Sequence, residues 1–171
     1  IKDCIDSKMV SSIGNYVDKF ENDLSKYTGS KYAIAIVNGT SALHLALIIG
    51  GIKKNDEVII PALTFVATAS AVVSSGGIPH FVDSNEKNLG IDHLSLRNYL
   101  KKNTIIRNKK CYNKKSGRRI HSLIPTHIFG HPCDLNELTK VAKDFNLLLI
   151  EDAAEALGSY YKNKHVGTKS S

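Results

Sequence analysis

Residues 32–51, YAIAIVNGTSALHLALIIGG, constrain the fold more than any other stretch, because a β-compatible run at 33–37 passes through Asn38-Gly39 directly into an apolar helix. A buried strand that turns at once into a helix leaves the first helical N–H groups pointing out of the turn, where the helix dipole adds positive potential. Gly39 permits a tight turn with close backbone approach, and Thr40 and Ser41 bring hydroxyls to the same spot. Such a cup suits a phosphate. An ordinary helix cap at Thr40 or Ser41 explains the same residues, and the stretch alone does not separate the two readings.

A second stretch, LLLIEDAAEALG at 147–158, reads as a continuous apolar strand that ends in two carboxylates and then small residues. Open α/β sheets place their ligands at the carboxyl ends of strands, so Asp152 falls where an acid is costly unless a cation meets it. A protonated pyridine nitrogen is one such partner, and a helix-capping Asp is the plainer alternative.

Between and around these stretches, strand and helix patterns alternate. Tyr16, Phe20, Leu24 and Tyr27 recur at helical spacing before Gly29, which predicts an amphipathic helix with an aromatic stripe packed in the core. Strands are expected at 57–61, 78–82, 122–125 and 147–150, with helices at 64–75, 93–103 (capped by Asp92) and 135–145 (capped by Asp134). This order predicts an α/β fold: a mainly parallel sheet with helices on both faces, joined by βαβ crossovers. Residues 1–30 form an N-terminal helical segment and 31–171 part of a larger domain.

The segments NGTSALHLAL, PALTFVATASAV, THIFGHPCDLNEL and IEDAAEALGSYYKNKHVGT, in this order and spacing, resemble the DegT/StrS-type family of pyridoxal-phosphate sugar aminotransferases. The resemblance runs over residues 8–167 and includes VSSIGNYVDKFENDLSKYTGSKYA. It is closest in character to the branch that makes bacillosamine- and legionaminic-acid-type amino sugars, although Lys8-Met9 stands where that branch more often has Gly-Trp. The resemblance implies the large-domain core of fold-type I pyridoxal-phosphate enzymes. It further implies amino transfer from L-glutamate to a nucleotide-linked 4-keto-6-deoxy sugar in surface-polysaccharide or amino-sugar biosynthesis. Gly39, Thr40 and Ser41 would hold the cofactor phosphate, Phe65 would cover the ring, and Asp152 would keep the ring nitrogen protonated. Glu155 would contact cofactor or sugar. The same likeness implies a homodimer, with the Schiff-base lysine beyond Ser171. Lys169 matches no such position, and Lys162 and Lys164 belong to a hairpin. The chain therefore reads as an N-terminal fragment, inactive alone; the alternative is a non-catalytic remnant or cofactor-binding scaffold.

Charge and composition exclude other classes. The net charge of +7 is concentrated in 101–119, which holds nine Lys or Arg and no acid; the remainder has 14 basic and 16 acidic side chains. That is one local excursion, with no basic nucleic-acid-binding face elsewhere. Its KKSGRR centre is expected as an exposed turn between two extended arms, serving either as a lure for a nucleotide-sugar diphosphate or as a solvated hairpin. No apolar run reaches the ~20 residues of a membrane span. Cys4, Cys111 and Cys133 make neither a disulfide framework nor a CxxC pair, and a cytoplasmic location is expected from these three unpaired cysteines. His127, His131, Cys133 and Asp134 lack a second ligand cluster, so no metal is expected. NGTSAL is not the GxGxxG of a dinucleotide-binding turn.

Overall fold

The computed structural model describes residues 1–11 and 13–168. Lys169, set aside above as a Schiff-base candidate, lies outside the described residues. Contacts divide the chain into two units, Ile1–Val37 and Asn38–Ser171.

The first unit carries α1 (Lys2–Asp6) and α2 (Asn15–Thr28). Gly29, at φ 76°, ends α2 in the left-handed conformation that glycine adopts without cost. The helical period was legible, but Tyr16, Phe20 and Tyr27 are exposed and no residue of α2 is buried, so the expected core stripe is not core here. The strand expected at 33–37 does not form either. A β-compatible run becomes a strand only when a neighbour takes its backbone hydrogen bonds, and no described strand pairs with it. The Glu21 carboxylate accepts the Ala35 N–H instead, and Ile34 and Val37 are exposed.

The second unit opens with α3 (Gly39–Ile49) and continues β1 (Glu57–Pro61), α4 (Val66–Ser74), β2 (Ile78–Val82), α5 (His93–Asn103), β3 (Thr104–Arg107), β4 (Lys110–Asn113) and β5 (Arg119–Leu123). A single 3-10 turn at Ile128–Gly130 leads to α6 (Leu135–Asp144) and β6 (Leu148–Leu149), then to the hairpin β7 (Tyr160–Tyr161) and β8 (Lys164–His165). Asp92 caps α5 as expected, accepting the N–H groups of Leu94 and Ser95. Asp134 stands at the start of α6 without a side-chain capping bond.

The sheet runs β2-β1-β5-β4-β3, with β6 also paired to β5. Its centre, β2, β1, β5 and β6, is parallel; β4 and β3 add an antiparallel edge. That edge holds a hairpin that composition did not announce, closed by Asn108-Lys109 with both residues at positive φ, as a two-residue turn matched to strand twist requires.

Successive residues of β1 point to opposite faces, and both faces are covered. Val58 and Ile60 pack with Leu43, Leu47 and Val72 of α3 and α4. Ile59 packs with Leu96, Leu100, Leu138 and Val141 of α5 and α6. Each such aliphatic side chain contributes about 1.5–3 kcal/mol by leaving water. The β1-α4-β2 and β5-α6-β6 crossovers step outward in opposite directions from the β1/β5 boundary and use opposite faces. Their loops part at the carboxyl ends of β1 and β5, which is where a doubly wound sheet opens a crevice.

Candidate active site

A cavity of about 430 Å³ lies at this crevice. The start of α3 contributes Gly39, Thr40 and Leu43; the loop after β1 contributes Leu63, Thr64 and Phe65; the loop after β5 contributes Thr126 through Phe129; the segment after β6 contributes Asp152, Ala154 and Glu155. Five of the six expected site residues therefore converge, although Gly39 and Asp152 are far apart in sequence. The sixth, Ser41, does not line the cavity: the Asn38 side chain accepts its N–H at 2.8 Å. Asn38, and not Thr40 or Ser41, is the cap of α3.

Because the first intrahelical bond runs from Ala42 to Asn38, the N–H groups of Gly39 and Thr40 stand ahead of any helical acceptor. Both residues line the cavity, which therefore lies at the positive end of α3. A Cβ built on Gly39 would lie 3.9 Å from the Ala154 methyl, so the helix start and the Asp152 segment are neighbours.

Asp152 is held by backbone. Its N–H donates to the Pro125 carbonyl and its carbonyl accepts the His127 N–H, extending the β5/β6 ladder. Its carboxylate, in a residue only 8% exposed, accepts a hydrogen bond from Thr68 Oγ1 at 2.8 Å and a long one from the Ala154 N–H at 3.4 Å. No Lys, Arg or His among the described residues pairs with it, whereas a buried carboxylate ordinarily requires a cation. Thr64 Oγ1 lies 2.9 Å from Thr68 Oγ1 and 3.3 Å from Thr126 Oγ1. Since Thr68 must donate to the carboxylate, the chain is oriented: Thr126 donates to Thr64, Thr64 to Thr68, and Thr68 to Asp152.

Beside this chain, His127 and Glu151 form a fully buried pair. His127 Nδ1 accepts the Cys133 N–H, so the ring carries its proton on Nε2 and donates it to Glu151 Oε2 at 3.1 Å. Glu151 also accepts the Gly167 N–H. Burial pushes the Cys133 thiol up to about 12, and its Sγ donates to the Thr126 carbonyl, which makes it a packed, unreactive group. His127 and Cys133 thus serve the loop that carries Thr126. These bonds account for Thr126, His127 and Cys133 within THIFGHPCD, and among the described residues no group of His, Cys, Asp and Glu could hold a metal ion.

Sequence reasoning passed over Thr68, hidden in a run of small residues, and the hydroxyl chain it ends. It also passed over Phe129, a loop residue whose backbone is left-handed. Glu155 directs Oε2 to the Phe129 N–H at 2.7 Å.

A doubly wound sheet with a helix N-terminus and an unpaired buried carboxylate across its crevice is the large-domain core of a fold-type I pyridoxal-phosphate enzyme. The chain belongs to the DegT/DnrJ/EryC1/StrS aminotransferase family, whose profile matches residues 1–171. It is 40% identical over 168 residues to the GDP-perosamine synthase of Escherichia coli O157:H7, covering 98% of this chain and 42% of that protein. A DegT DnrJ EryC1 StrS aminotransferase from Brucella abortus superposes with a TM-score of 0.86 at 29% identity, over 97% of this chain and 42% of the other. NtdA from Bacillus subtilis, solved with bound cofactor PMP, superposes with a TM-score of 0.73 at 32% identity, over 86% and 30%. The chain thus spans well under half the length of the relatives it matches. Aminotransferases of this family use pyridoxal phosphate, and the donor set fits that group: helical N–H groups for the phosphate, and a buried carboxylate lacking a cation for the ring nitrogen. No helix among the described residues is long and apolar enough to cross a membrane.

Proposed function

We propose that this chain is the cofactor-binding part of an enzyme that moves an amino group from L-glutamate to a nucleotide-linked 4-keto-6-deoxy sugar, working as a homodimer in the cytoplasm. The observation that carries the reading is Asp152: a buried carboxylate, hydrogen-bonded by Thr68, at a cavity that no Lys or Arg among the described residues lines. A pyridinium nitrogen supplies a cation there. The name of the E. coli relative, a synthase of GDP-perosamine, supports a sugar nucleotide as acceptor.

When bound, pyridoxal phosphate would supply an electron sink. Asp152 would hold the proton on the ring nitrogen, and Thr68 fixes its carboxylate. The Gly39 and Thr40 N–H groups and the Thr40 hydroxyl bind the phosphate at the start of α3. Phe65, 71% exposed and next to the first turn of α4, presents an aromatic face to the ring. Leu43, Leu63 and Ile128 exclude water from the apolar side of the cavity.

The test is calorimetric titration of the chain with pyridoxamine phosphate, which needs no Schiff-base lysine to bind. The native chain is expected to bind it, and Asp152→Asn to weaken binding about tenfold, the loss of one charged hydrogen bond. Equal affinity in the two proteins removes Asp152 from this role.

A further inference from the structure

Phe129 has φ 51° and ψ 27°, a left-handed backbone that a residue with a Cβ adopts only when its surroundings impose it. Phe129 is 75% exposed and lines the cavity. The strain therefore does not serve the core. Two backbone hydrogen bonds close this turn, from the Gly130 N–H to the His127 carbonyl and from the His131 N–H to the Ile128 carbonyl, and a side chain adds a third. The Glu155 carboxylate accepts the Phe129 N–H at 2.7 Å, a short charge-assisted bond. The next residue, Gly130, is also left-handed at φ 79°; a Cβ there would stand 3.0 Å from the Glu155 carbonyl oxygen and 3.4 Å from Ser159 Oγ. The loop after β5 is thus seated on residues 155–159, with Glu155 gripping it at Phe129.

We infer that Glu155 is a positioning residue that holds the Phe129 ring at the cavity, and that this ring is a contact for the sugar of the nucleotide-linked substrate. The second half rests on the aminotransferase reading above. Asp152 fixes the buried end of the cavity, so the molecule that reacts with the cofactor arrives from the open end, where Phe129 stands. A deoxy sugar offers there a face of C–H groups and a methyl, apolar surface that a phenyl ring takes and that glutamate lacks.

The sequence contains no Trp, so Phe129→Trp introduces a single indole at this site. In that background Glu155→Gln, whose amide oxygen still accepts the N–H, is expected to leave the emission maximum and acrylamide quenching unchanged, while Glu155→Ala shifts the emission and raises the quenching. Unchanged emission and quenching in the Ala variant overturn the clamp. Should Glu155→Ala fail to fold by circular dichroism, Glu155→Ser, too short to reach the Phe129 N–H, is read in its place, and Phe129→Gly separately tests whether the ring is structural. Glycine takes positive φ freely and little buried surface is lost, so its Tm is expected to rise by roughly 2–4 °C, and a fall shows a structural ring instead. With pyridoxamine phosphate saturating, Phe129→Gly is expected to weaken binding of GDP-rhamnose, a 6-deoxy sugar nucleotide, about tenfold and to leave pyridoxamine phosphate affinity unchanged. Undiminished GDP-rhamnose affinity overturns the sugar contact. Failure of the native chain to bind pyridoxamine phosphate overturns the aminotransferase reading, and the emission and quenching results still decide the clamp.

Discussion

Thr68 Oγ1 donates to Asp152 Oδ2 at 2.8 Å, joining the buried face of α4 to the acid at the end of β6 across 84 positions of sequence. This hydroxyl is the one side-chain donor to that carboxylate among the described residues, and its own lone pair is taken by the Thr64 hydroxyl. Thr68→Val keeps the shape and removes the donor. The cost is about 1.5–3 kcal/mol for a hydrogen bond to a charged group, which corresponds to a Tm lower by roughly 3–10 °C in scanning calorimetry. Thr68→Ser should restore most of it. A Val variant as stable as the native chain would show that the carboxylate does not depend on this hydroxyl.

Acid stability centres on Glu57, at the opposite end of the sheet. Burial by itself pushes its carboxyl up, but hydrogen bonds from His80, Asn113 and Ser116 overcome burial and hold it at about 2 against an ordinary 4.5. A carboxylate depressed on folding contributes stability that is fully present above its unfolded value and is lost as pH falls through its folded one. The native chain should therefore lose about 3 kcal/mol between pH 4.5 and 2 on this account. Glu57→Gln should be less stable at pH 7 and lose correspondingly less over that window; denaturant midpoints measured across it provide the check.

His121 adds a second, higher window. Burial, followed by the Arg119 charge, lowers its basicity, and its Nε2 donates to the Gly50 carbonyl at the end of α3. A histidine held neutral contributes stability present above its unfolded value of about 6.5 and lost below it. His121→Asn should remove the part of the pH dependence lying just below neutrality, and an unaltered profile would assign that part elsewhere.

The basic turn is far from the cavity. Residues 114–118 precede β5, whereas Thr126 lies beyond its carboxyl end. Seven residues of extended chain span ~23 Å, nearly three Debye lengths at physiological salt. Replacing Lys114, Lys115 and Arg118 together by Gln should change affinity for pyridoxamine phosphate less than about threefold, with no added salt dependence. A large salt-sensitive loss would make the turn a guide for anionic ligands.

Gly50 tests packing against the sheet. A Cβ at this position would stand 2.4 Å from Leu148 Cδ2 and 3.0 Å from the Ala46 carbonyl oxygen, although its φ of −64° suits any residue. Gly50→Ala should cost about 1–3 kcal/mol by overpacking. Gly117, with φ 70° and open space around it, should lose only the smaller backbone increment on the same change.

The sequence by itself determined the elements whose signals are local. Period and caps placed β1, β2, α5 and the hairpin of Lys162-Asn163, because alternation, the Asp92 cap and turn chemistry act within a few residues. The order and spacing of its motifs, through their resemblance to one family, also grouped Gly39, Thr40, Phe65, Asp152 and Glu155, which do line one cavity, with Ser41, which does not; the strand-end rule by itself reached Asp152. Tertiary structure decided the rest. Whether 33–37 is a strand depends on a partner backbone, and whether Tyr16 and Phe20 are core depends on what covers them; neither is written in the segment itself. The donor to Asp152 comes from a threonine 84 residues away, and Glu155 spends its carboxylate on the Phe129 backbone, because hydrogen-bond partners are chosen by proximity that only the folded sheet creates.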